Sequence, residues 1–282
     1  MADVGRRNSQ DLQDRGPSYP SSTYGRVKEQ ATERADLETA LKRLAEIEPF
    51  VDRLVRRMKP AFSLEPPARV LDVGASQGAT ITALRRRGFD AVGVEPWQPA
   101  IEVSRELSKA TGVDTEIKHG RAESLPFETA SFAFVHAYSV MEHVDDPDLV
   151  FREAHRVLEP GGAFFFSTTS ALGPRQSEIA GFPLFPWYPP PVQRAIMKWA
   201  AERRPALVGN TTRPAYHWFK HRQVQASLRA AGFERIVNRW DLRRDESDGM
   251  RGRAIRACSG NRQARLVGDI VASGMEYLAV KR

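Results

Sequence analysis

From residue 69 onward the chain alternates short apolar runs with amphipathic segments, and this alternation restricts the fold more than any other feature. "RVLDV" is a continuous apolar strand, and "ATITALRRRG" reads as a helix closed by Gly88. "DAVGVE" is a second strand, and "QPAIEVSRELSKATG" a helix with Pro at its start and Gly at its end. "VDTEIK", "SFAFVHA" and "AFFFSTT" predict three further strands. The helix "PDLVFREAHRVLEPGG", stopped by its Pro-Gly-Gly, separates the last two. The helix "RQVQASLRAAG", the strand "FERIVNRWDL" and a closing strand "MEYLAV" follow after an interruption. Continuous apolar strands are buried on both faces, and strands joined by helices run parallel, so the pattern predicts a doubly wound, mainly parallel α/β sheet.

The flanks break this rhythm. Residues 1–27 are polar and rich in Gly, Ser and Pro, as expected of a flexible arm. Residues 28–60 read as an N-terminal helix, with Leu37, Leu41, Leu44, Ile47, Val51 and Leu54 at spacings of three and four. The main domain is expected over 61–282, with an insertion at about 171–220. That insertion opens with "GFPLFPWYPPP", too rich in proline for a central strand or a helix interior, and continues with the amphipathic "VQRAIMKWAAERR". Residues 243–270 are basic, contain glycine, and carry no motif.

Composition narrows the classes. A chain of 282 residues, 41% hydrophobic and 27% charged, suits one α/β domain with insertions. A single cysteine, Cys258, rules out an internal disulfide or a cysteine zinc cluster, and points to a reducing compartment, the cytoplasm. The polar start has no signal-peptide core, and no run approaches the length needed to span a bilayer. The net charge of +7 fits an anionic partner or a scattered basic surface; the arginines cluster only briefly, as at 85–87 and 251–253.

Function concentrates at "VLDVGASQG". A tight strand-to-helix turn of small residues lets a ligand approach the backbone, where amides and a helix N-terminus offer donors. Gly74 and Gly78 bracket the turn in a G-x-x-x-G spacing. This is neither the dinucleotide G-x-G-x-x-G nor the phosphate loop G-x-x-x-x-G-K, and no lysine is present to meet a phosphate. Glu95 ends the second strand, where a carboxylate can accept two ribose hydroxyls, and Trp97 offers a flat face for adenine or simply packs.

These residues resemble the class I S-adenosylmethionine-dependent methyltransferases. "VLDVGASQG" looks like their first motif and "VGVEPW" like their second. "RAESLPFETASFAFVHAYSVMEHVDDPDLVFREAHRVLEPGGAFFFST" resembles the small-molecule branch that includes ubiquinone-biosynthesis-type enzymes. The resemblance is close over about 65–170 and looser over 221–241 and 275–281. It implies a seven-stranded Rossmann-like sheet with an antiparallel last strand, and S-adenosyl-L-methionine as cofactor. It places Gly74, Ala75 and Gly78 at the methionine end, Asp72 orienting that loop, and Glu95 on the ribose. Arg121, Ala122 and Glu123 would lie against adenine, and His136 would approach the cofactor through its backbone. Two positions depart from the family: Arg121 stands where an acid is usual, and Phe132-Ala133 where Phe-Asp is usual.

Each candidate has a plainer reading beside it. Asp72 could serve only to bond loop amides. His143, in "MEHVDD", could take a proton from an acceptor hydroxyl as the catalytic base, or cap and pack its turn. Glu142 and Tyr138 share that rim, and His217 could reach it from the insertion. No histidine has metal-ligand spacing, so no metal is expected. The aromatic insertion reads as a lid that shapes an acceptor pocket. Its alternatives are a face for peripheral membrane or lipid contact, or plain core packing. The expected function is methyl transfer to a small molecule, more at oxygen than at nitrogen or carbon. Action on base amines of nucleic acid is disfavoured, because the Asn/Asp-Pro-Pro-Tyr/Phe type segment is replaced by "HAYS". RNA ribose methylation and a non-catalytic cofactor-binding scaffold stand as alternatives.

Overall fold

The computed structural model describes residues 36–174, 176–209, 213–244, 249–272 and 274–282. The expected arm at 1–27 and the first residues of the expected N-terminal helix lie outside these. Helix α1, Leu37–Met58, starts where the Asp36 side chain accepts the Thr39 amide at 2.7 Å. It buries Ala40, Leu44, Val51, Leu54 and Met58 along one face.

The strands are β1 (Arg69–Val73), β2 (Asp90–Glu95), β3 (Ile117–His119), β4 (Phe132–Tyr138), β5 (Leu158–Thr169), β6 (Arg235–Asn238) and β7 (Gly274–Val280). They form one seven-stranded sheet in the order β3-β2-β1-β4-β5-β7-β6. Neighbours from β3 through β5 pair parallel, while β7 runs antiparallel to both β5 and β6, as expected for the last strand.

Helices α2 (Ala79–Arg85) and α3 (Gln98–Thr111) join α1 on one face of the sheet, over Val70, Phe134, Phe165 and Leu278. Helices α4 (Pro147–Val157) and α6 (His221–Ala230) cover the other, over Leu71, Val135, Phe164, Phe166 and Tyr277. Residues one apart on a strand point to opposite faces, so the central strands β1, β4 and β5 are mainly apolar on both. The arginines at 85–87 hold this framework together. Arg85 donates to the Ala91 carbonyl at 2.7 Å, Arg86 pairs with Glu48 at 2.7 Å, and Arg87 pairs with Asp52 at 2.6 Å.

Several boundaries differ from the sequence reading. β3 is three residues long rather than the whole of "VDTEIK". α4 ends at Val157, and Leu158 already pairs with Phe132. Residues 159–162 then loop out before Ala163 meets Phe134, so the Pro-Gly-Gly lies in a bulge, not in the helix. "FERIVNRWDL" gives a strand only over Arg235–Asn238. The Asn238 side chain accepts the amides of Trp240 and Asp241 and starts a short helix, α7 (Arg239–Leu242). The unassigned basic stretch forms a helical pair, α8 (Gly249–Gly260) and α9 (Arg262–Val271).

The insertion contains a single turn at Phe185–Trp187 and helix α5 (Pro190–Arg203), whose prolines sit in its first turn. It has a small core of its own: Ile179, Phe185, Met197, Ala200 and Ala215.

Candidate functional site

The loop after β1 turns through two left-handed glycines, Gly74 at φ +72° and Gly78 at φ +81°. A Cβ on Gly74 would stand 2.6 Å from Val140 Cγ2, so the residue is fixed by backbone angle and by space. The Gly74 and Ala75 amides donate to the Val94 carbonyl at 2.9 and 3.1 Å, and the Ser76 amide donates to Glu95 Oε2 at 2.9 Å. β2 therefore organises the loop. Asp72, expected to do so, does not take these three amides.

Glu95 is buried and also accepts the Trp97 amide on Oε1 at 3.0 Å. Burial raises its pKa to about 7, against the pull of the two amides, and the charge of Asp72 raises it further. A carboxylate offers about four acceptor positions, so two remain after both amides are served, enough for a vicinal diol. Trp97 is half-buried at the start of α3, and its indole Nε1 is buried without a hydrogen-bond partner among the described residues.

Asp72 and His136 face each other in register on β1 and β4. Asp72 Oδ1 lies 2.8 Å from His136 Nδ1, with both side chains buried. His136 stacks parallel to Phe165, with centroids 5.8 Å apart, and lies between it, Tyr138 and Phe50 of α1. His136 Nε2 is buried and has no partner among the described residues. A buried polar atom left unpaired costs about 1–3 kcal/mol.

The segment expected to lie beside adenine is held from below. Glu123 Oε1 accepts from Arg121 at 3.2 Å and from the Asp145 amide at 2.8 Å, while Ala122 packs into the core. Arg121 also pairs with Asp145, and Arg213 of the insertion joins Asp145 at 2.6 Å. Burial alone would raise the Asp145 carboxyl, but Arg121 and Arg213 outweigh it and hold it below the usual range. Arg121, at the departure from the family pattern, thus links this segment to the turn after β4.

That turn carries the expected base. His143 Nε2 lies 3.8 Å from Glu178 Oε2 of the insertion, and burial drives its pKa down to about 4. Beside it Glu142 is fully buried, accepts from the Thr168 hydroxyl at 2.8 Å, and has a pKa raised by burial to about 8. The Glu142 carbonyl takes the Tyr216 amide at 2.9 Å, and His217 Nε2 lies 2.9 Å from the Val144 carbonyl. The insertion is thus fastened to the turn at 142–145, at the carboxyl end of β4. Sequence reading missed Glu178 in this cluster, because it belongs to no motif. The pairing of Asp72 with His136, 64 residues apart, follows only from strand register.

Residues 71–166 match the family described as methyltransferase domain. The chain is 36% identical over 101 residues to a ubiquinone biosynthesis O-methyltransferase of Pseudomonas entomophila, covering 36% of this chain and 44% of that protein. It is 34% identical over 135 residues to the Hahella chejuensis protein of the same name, covering 47% of this chain and 55% of that one. The chain thus spans about half the length of the curated relatives it matches. Among solved structures, the YcgJ protein of Bacillus subtilis superposes with a TM-score of 0.51 at 21% identity, covering 82% of this chain and 98% of that one. That likeness concerns the fold.

Proposed function

Because this chain belongs to the class I S-adenosylmethionine-dependent methyltransferases, we propose that it moves a methyl group from S-adenosylmethionine to an oxygen of a small molecule. The observation that carries the reading is Glu95. It already binds the glycine loop through Ser76, yet keeps acceptor positions for a ribose at the carboxyl end of β2. The bound cofactor would supply a methyl on a sulfonium, already activated for displacement. The protein's part is alignment and exclusion of water. Gly74, Ala75 and Gly78 would receive the methionine end, Trp97, Ala122 and Glu123 would border the adenine, and the His136 backbone would lie alongside. Calorimetric titration with S-adenosylhomocysteine tests this reading. Binding near −8 kcal/mol, on the order of micromolar, that Glu95→Ala abolishes is the expected result. No binding to the wild type would overturn it.

Oxygen is favoured as the methylated atom by the names of the relatives, both O-methyltransferases. His143 is the base expected from sequence. In the fold it is better suited to fixing the insertion against β4, since burial keeps it neutral and Glu178 faces it.

The insertion would close over the acceptor, and an outer face gives it a further use. Trp187 is 54% exposed and donates its indole N–H to the Leu172 carbonyl at 3.0 Å. The next residue, Gly173, packs so closely on Ala272 that a Cβ would stand 2.4 Å from the Ala272 carbonyl oxygen. Leu266, Val267, Ile270 and Val271 of α9 are exposed as well. Arg251, Arg253 and Arg262 of the same helical pair are also exposed. Exposed apolar and basic residues on one helical pair suit the surface of an anionic bilayer, from which an apolar acceptor could be drawn. Co-sedimentation with phosphatidylglycerol vesicles, lost in Trp187→Ser with Val267→Ser and in high salt, is the expected result; equal recovery with phosphatidylcholine alone would overturn it.

A further inference from the structure

The Asp72–His136 pair is used by nothing described so far, and the sequence reading gave His136 only a backbone role. Its geometry matches a base more closely than that of His143. A carboxylate has no proton to give, so the 2.8 Å contact favours, for a neutral ring, the tautomer with its proton on Nδ1. The lone pair then belongs to Nε2, the atom that has no partner. Register fixes the direction. Asp72 holds the ring from β1, Phe165 stacks on it from β5, and the Phe50 and Tyr138 rings lie beside it with centroids 6.3 Å away. Tyr138, two residues on along β4, is 49% exposed, so the ring lies just beneath the open end of the sheet. The glycine loop starts two residues after Asp72 on β1, which brings the same end of the sheet to the cofactor loop.

We propose that the His136 side chain, oriented by Asp72, is the general base for the acceptor hydroxyl. The assignment rests on the methyltransferase reading above. As the acceptor oxygen takes the methyl, its O–H proton passes to Nε2. The C–S bonding pair stays on sulfur, which becomes a thioether, and the imidazolium returns its proton to water once product leaves. The Asp72 carboxylate stabilises the imidazolium while it exists. Asp72 is then a positioning residue. His143 belongs to the fastening of the insertion.

The test begins on the wild-type protein saturated with S-adenosylhomocysteine, with its histidines labelled with nitrogen-15. Failure of the wild type to bind S-adenosylhomocysteine would remove the methyltransferase reading itself, a result distinct from any below. In the complex at pH 7.5, the expected His136 spectrum shows Nδ1 protonated and Nε2 bare. The opposite tautomer would overturn the proposal. His136→Gln should bind S-adenosylhomocysteine within about threefold of wild type. A loss of more than about tenfold would make the side chain a cofactor ligand and overturn it too. On whichever simple phenol the wild type methylates, His136→Ala should lower kcat by about 10²–10⁴-fold and regain turnover with added imidazole. An unchanged kcat would overturn the assignment.

Discussion

Glu95 reaches across from the end of β2 and accepts the amide of Ser76 at 2.9 Å, so the carboxylate proposed to hold the ribose also shapes the glycine loop. Burial puts its pKa near 7. Ribose hydroxyls donate best to the ionised form. The affinity for S-adenosylhomocysteine should therefore weaken as pH falls from 8 to 6. Glu95→Gln should bind about tenfold more weakly at pH 8, and its affinity should not vary over that range. Isothermal titration at the two pH values measures both effects, and parallel pH curves for wild type and mutant would refute the role given to Glu95.

Gly74→Ala should destabilise the fold by about 1–3 kcal/mol, since the new Cβ meets Val140 and the backbone angle is left-handed. Combining it with Val140→Ala should relieve the contact but not the angle, so urea unfolding should show only partial recovery.

Glu142 predicts a pH-dependent stability. Its folded pKa is raised from the usual 4.5 to about 8, so the native state holds the proton more tightly than the unfolded chain. Wild-type stability should then fall as pH rises through that interval. Glu142→Gln removes this titration and keeps an acceptor for Thr168. Its Tm relative to wild type should rise steadily from pH 5 to pH 8 in thermal scans. His143 works in the opposite sense. Its pKa falls from 6.5 to about 4, so its contribution is present above 6.5 and is lost as pH drops through that window.

Asp145 connects Arg121 to Arg213 of the insertion. Asp145 is half exposed, so Asp145→Ala should cost no more than about 1 kcal/mol of global stability. It should still loosen the insertion, and limited trypsin digestion should cut within 203–213 sooner than in wild type, while the sheet core stays resistant.

The sheet could be read in the chain because its central strands are apolar on both faces, and only a parallel sheet covered by helices buries such strands. Gly74, Gly78 and Glu95 could be read as well, since a close backbone approach and a strand-end acid are local needs written in adjacent residues. "VLDVGASQG" by itself determined the tight, left-handed turn after β1. The tertiary structure decided the rest, because it depends on partners distant in sequence. Strand register set Asp72 against His136 and made the buried histidine a candidate base. The path of the insertion brought Glu178 to His143 and removed that histidine from solvent. The basic stretch after β6 shows no strong apolar period over its first helix, so the packing of Gly268 on α9 against Cys258 of α8 and Trp240 is what reveals the helical pair. Local sequence carries the conformational limits of each residue, whereas charge, protonation and contact are properties of neighbours that only the folded chain brings together.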